Sequence, residues 1–130
     1  MEEPPTAVHS ALDTARRHVD AAFNGIANAD LALCNAWTIL QHALVNEPTS
    51  IPLLTCQGAV ACDQGDYAGA RLLLERALAL GSSDGNTAFN LGVALFNTGE
   101  TTLARRQFSR ASTQSADPQT WAAYFDPQAG

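Results

Sequence analysis

A stretch from Gln57 to Ala77 returns 34 residues later (58 to 92, 77 to 111), and that recurrence limits the fold more than any other feature of the chain. Gly58 recurs as Gly92, Gly65 as Gly99, Ala70 as Ala104, Arg71 as Arg105, Arg76 as Arg110 and Ala77 as Ala111. Asp66 is echoed by Glu100 and Leu74 by Phe108. A fixed period with small residues at fixed places marks stacked helical units, each burying one face against the next. The small residues have a mechanical reason. Two helices that cross closely leave no room for a large side chain, and one forced in costs about 1–3 kcal/mol. Leu74, Phe108 and, one period earlier, Leu40 fill the space beneath the crossing.

The spacing L-G-x2-aliphatic, A-x3-[LF], A resembles the tetratricopeptide repeat family. Leu91-Gly92, Leu95, Ala104, Phe108 and Ala111 carry the match in residues 85–118. Gln57-Gly58, Ala61, Ala70, Leu74 and Ala77 carry it in residues 51–84. Shifting the frame back again gives a degenerate first repeat at 17–50, with Asn24 at the place of Gly58, Ala36 at that of Ala70, and Ala43-Leu44-x3-Pro48 as its ending. The fold class expected is all-α: antiparallel helix pairs stacked in a right-handed solenoid, about three repeats and a short C-terminal segment.

Taken in order, residues 1–5 are expected to be a disordered tail and 6–130 a single domain. Thr6 is a candidate N-cap for a helix whose apolar positions Val8, Leu12, Ala15, Val19, Phe23 and Ile26 step by three or four. A second helix should span about 31–45, a next pair 51–63 and 67–80, and a last pair 86–97 and 101–115. Residues 119–126 form a short aromatic cap with Trp121, Tyr124 and Phe125.

Charge narrows the partners. The chain carries a formal charge of −6, with seven arginines and no lysine. Nucleic acid and anionic membranes need clustered positive charge, so neither is the expected partner. The uncharged run from Leu31 to Asn46 is too short and too polar to span a bilayer. The acidic, proline-rich start is unlike a signal peptide, and three cysteines without C-x2-C spacing suggest neither disulfides nor zinc. A cytoplasmic setting is the expectation. No metal or cofactor is expected.

Catalysis needs converging reactive groups. Cys34 and His42 lie eight residues apart on one expected helix, roughly 12 Å along its axis at 1.5 Å per residue. No catalytic residue is assigned, and the chain is expected not to be an enzyme. The family resemblance implies instead a concave face lined by the first helix of each pair. Its candidate partner-binding residues are Ala21, Gly25, Thr55, Ala59, Cys62, Phe89, Asn90, Val93, Phe96 and Asn97. Such a groove suits a peptide or amphipathic helix of another protein. Val8, Leu12, Trp121, Tyr124 and Phe125 form a candidate assembly interface through which a homo- or hetero-dimer would form. Size, acidity and groove also resemble the tetratricopeptide-type chaperones of bacterial type III secretion. The alternative expectation is a scaffold or regulatory subunit assembling a larger complex through its helical ends.

Overall fold

The computed structural model describes residues 6–124; the expectations for residues 1–5 and for Phe125 lie outside the described residues. Among those described there are six helices and no strand. They are α1 (Ala7–Phe23), α2 (Ala29–Asn46), α3 (Ile51–Asp63), α4 (Tyr67–Ala79), α5 (Gly85–Asn97) and α6 (Thr101–Thr113). The fold is all-α, built from stacked helix pairs.

Short polar side chains start most of these helices. Thr6 accepts from the His9 N–H, Asn28 from Leu31, Ser50 from Leu53, Asp66 from Gly69 and Asp84 from Asn86, satisfying N–H groups that the helix itself leaves unpaired. Gly65 and Gly99, at φ +80 and +86, end α3 and α5 and turn the chain within three residues. That tight turn folds α4 back on α3 and α6 back on α5. The first helices α1, α3 and α5 also touch one another in series, so they share one face.

The repeated small residues sit where the helices cross. A β-carbon on Gly58 would lie 2.5 Å from Leu74 Cγ, and one on Gly92 would lie 2.6 Å from Phe108 Cε1. Ala70, Ala77 and Ala104 are wholly buried. Replacing Ala104 with leucine is therefore expected to lower stability by about 1–3 kcal/mol through overpacking. A thermal melt unchanged from the parent's would mean that α5 and α6 do not cross there.

The first pair departs from the 34-residue frame. Asn24 does not stand at a helix crossing: it is the C-cap of α1, donating its N–H to Asp20, and Gly25 follows at φ +69. An Asn-Gly pair stops a helix because Gly takes the left-handed conformation without steric penalty. The helix therefore ends six residues before the position that the shifted frame gives it (63 − 34 = 29, against 23). Its buried positions are Leu12, Ala15, Val19 and Ala22, spaced three, four and three. The apolar stripe near the start of α1 is thus part of the core.

Candidate functional site

Past α6 the chain turns back along α5 and then crosses the shared face of α1, α3 and α5. Gly85, in the first turn of α5, donates its N–H to Ser115 O at 3.0 Å. A β-carbon there would meet Gln114 O at 2.8 Å, so only glycine allows this close return. Asp84 ties the return down. Its Oδ1 accepts from Asn86 N and Asp117 N, both at 2.9 Å, and its Oδ2 accepts from Thr120 Oγ1 at 2.6 Å. Asn86 Nδ2 donates to Thr120 Oγ1 at 3.0 Å. One carboxylate therefore caps α5 and anchors the crossing segment.

Residues 120–124 are then held by side chains that read their backbone. Asn90, fully buried on α5, donates from Nδ2 to Trp121 O at 3.1 Å and accepts at Oδ1 from Ala123 N at 2.8 Å. In an extended chain a carbonyl and the N–H two residues on face the same side, so the amide flanks Ala122 as a neighbouring strand would. The same Nδ2 reaches Thr55 O on α3 at 3.4 Å. At the end of α3, Asp63 Oδ1 accepts from Tyr124 N at 2.9 Å. The Trp121 and Ala123 side chains are buried, whereas Ala122 is exposed. The Tyr124 ring, 52 % exposed, stacks on Phe23 of α1 with centroids 3.7 Å apart and planes at 15°.

Beneath the segment lies a buried polar seam. Thr55 and Thr87 hydroxyls are 2.6 Å apart, and Ser82 is 2.8 Å from Thr87. Cys62 Sγ donates to Asn90 O at 3.6 Å. Burial pushes the Cys62 thiol up to about 12, with the charges of Asp63 and Asp66 acting in the same direction. Burial also raises Cys56 far above its ordinary value, partly opposed by a backbone hydrogen bond from Trp121. Both remain thiols, which makes them poor nucleophiles. Asp63 is pushed up to about 7, chiefly by burial, and the Tyr124 N–H pulls it back down in part. Its Oδ2 is buried without a hydrogen-bond partner among the described residues.

Two open hollows flank the segment. One of about 620 Å³ separates it from Arg16, Val19 and Asp20 of α1. The other, about 510 Å³ and mainly apolar, lies among Phe89, Phe108, Ala111 and Ala122.

Of the residues expected in the groove, Thr55, Cys62 and Asn90 converge on this seam, and they are buried along with Ala59 and Val93. Phe89 is half-buried and packs against Phe108, with centroids 5.5 Å apart. Ala21 is half-buried on α1, and Asn97 turns back to Val93 O at 2.8 Å. Gly25 and Phe96 stand apart from the seam: the first lies in the exposed turn after α1, the second is exposed near the end of α5. Of the residues expected at an assembly interface, Leu12 and Trp121 are only 2 % and 6 % exposed within their own chain, and Val8 packs against the same core. They are core residues because the chain itself covers them.

Sequence reasoning gave no site role to Asp84, Asn86 and Thr120, and placed Phe23 only on the apolar face of the first helix. Each acts through a contact with a distant part of the chain, which the repeat frame does not carry. Among the described residues no group of three or more His, Cys, Asp or Glu could hold a metal ion. No described helix is long and apolar enough to cross a membrane.

Residues 61–124 match the family model of the tetratricopeptide repeat. No curated protein matches the chain. Tetratricopeptide repeats generally mediate protein–protein interaction and typically act without catalysis. The matched region runs from the end of α3 through α4 and the crossing of α5 with α6 to the residues lying across the face shared by α1, α3 and α5, and over that region the chain carries tetratricopeptide repeats.

Proposed function

We propose that this chain is a non-catalytic interaction module that holds an extended segment of a partner protein on the face shared by α1, α3 and α5. One observation carries the reading: residues 120–124 already lie there as an extended peptide would, gripped through their backbone by Asn90 and Asp63. Side chains that bind main-chain groups recognise a conformation rather than a particular chain, as peptide-binding grooves do. An extended segment therefore fits this face better than an amphipathic helix, whose backbone groups are already paired.

The narrower reading is a chaperone that shields one segment of a client until delivery, the role that the type III secretion resemblance implies. It is supported by the apolar hollow beside Ala122 and by the acidic charge. The scaffold reading draws less support, because Leu12 and Trp121, which it would use, are in the core.

Peptides selected from a random library against the intact chain test the module. Their binding should shift the backbone amide resonances of Asp63, Asn90 and residues 120–124. Shifts confined to α2, α4 and α6 would place recognition on the outer helices and end this proposal.

A further inference from the structure

We infer that Trp121-Ala122-Ala123-Tyr124 is the chain's own copy of the motif its groove recognises, and that a partner binds by displacing this strap with an extended segment of the same pattern. This rests on the reading of the concave face as a peptide-binding surface and adds to it the identity of the peptide.

Each position of the strap meets a different requirement. Asn90 brackets residue 122 through the carbonyl before it and the N–H after it, which fixes the register. Position 121 is buried and takes a large apolar ring; position 123 is buried and takes a methyl group. Position 122 is exposed, so its side chain is unrestricted. Position 124 places an aromatic ring on Phe23 and gives its N–H to Asp63. The N–H groups of 123 and 124 are both used, so proline is excluded from both places. Position 120 supplies a hydroxyl that donates to Asp84 and accepts from Asn86. The fitting segment is therefore a hydroxyl residue, a large aromatic, any residue, a small residue and a second aromatic.

The strap also sets how such a partner is received. A tethered segment competes at an effective concentration in the millimolar range. A free segment with the same contacts has its affinity scaled down by the fraction of chains whose face is free. Loosening the strap without touching the groove should therefore strengthen binding in trans.

The test uses the full chain and a fluorescein-labelled peptide of residues 119–124, Gln-Thr-Trp-Ala-Ala-Tyr. Ala123→Arg forces a long charged side chain into a site sized for a methyl group, and should release the strap. Fluorescence anisotropy is expected to show the peptide binding the A123R chain at least about tenfold more tightly than the parent. A control peptide with proline at the position of Ala123 should bind neither. A folded A123R chain that binds the peptide no better than the parent would overturn the inference.

Hydrogen exchange on the parent chain keeps the test decisive should A123R fail to fold. Saturating peptide should speed exchange of the Ala123 and Tyr124 amides, since each loses its side-chain acceptor. Unchanged exchange of both would overturn the inference equally. Library-selected peptides that perturb Asn90 and Asp63 but lack the aromatic–any–small–aromatic pattern would refute this motif and leave the groove reading standing. A complete absence of peptides that reach the concave face would refute both.

Discussion

Replacing Trp121 with alanine is expected to destabilise the chain by about 2–4 kcal/mol. Removing a buried tryptophan side chain typically costs about 3–5 kcal/mol in lost burial and residual cavity. The Trp121 indole N–H is buried with no hydrogen-bond partner among the described residues. Its removal relieves a desolvation penalty of about 1 kcal/mol, which brings the net loss down. Against a typical total stability of roughly 5–15 kcal/mol, the change is large enough to read in any denaturation curve. Trp121→Phe keeps a ring in the site and drops the unpaired N–H, so its loss should stay below about 1.5 kcal/mol. The pair separates two pictures of the C-terminal segment. If the segment rests on the face in solution, W121A falls well below W121F. If it hangs free, the two variants melt together with the parent, and neither the strap nor its motif survives.

Most of the helical scaffold was legible because it is periodic. Residues 51–63, 67–79, 85–97 and 101–113 form helices within a residue or two of where the repeat places them. Gly58 and Gly92 lie against Leu74 and Phe108 as the crossing argument requires. Legibility fails at both ends, for different reasons. At the start, the 34-residue frame fails at Asn24: Asn24-Gly25 is a stop signal, and its local backbone preference overrides the alignment that puts Asn24 at a crossing. Thr6, read from local chemistry rather than from the repeat, is the N-cap of α1.

At the other end, the strap is positioned by bonds from side chains to backbone. Asn90 binds the main chain around Ala122, and Asp63 binds that of Tyr124. Such bonds are indifferent to the side chains of the segment they hold, so no pattern in residues 119–124 announces them. Asn90 and Cys62 could be assigned to the concave face from their helical register, because register is periodic. That their face would be covered by residues thirty or more positions away could not.

The stability of the parent chain is expected to fall as pH rises from about 4 to about 7, and Asp63→Asn is expected to remove that part of the dependence. Burial raises the Asp63 carboxyl from 3.8 to about 7 in the folded chain. Between those values the folded chain keeps a proton that the unfolded chain has released, so each step upward in pH favours unfolding. The associated stability is fully present below the unfolded value and is lost by the time pH passes the folded one. A shift of about three pH units corresponds to about 4 kcal/mol at 1.36 kcal/mol per unit. Asp63 is only half-buried, and solvent screening reduces this to about 2 kcal/mol. Asparagine carries no charge and can still accept the Tyr124 N–H through its side-chain carbonyl. The quantity to read is the difference between the D63N and parent melting temperatures at pH 5, 6, 7 and 8. That difference should grow with pH in favour of D63N, and the Tyr124 amide should exchange more slowly in D63N than in the parent at pH 8. A difference that is constant with pH would mean that Asp63 ionises in the folded chain as readily as in the unfolded one, leaving the C-terminal segment insensitive to its charge.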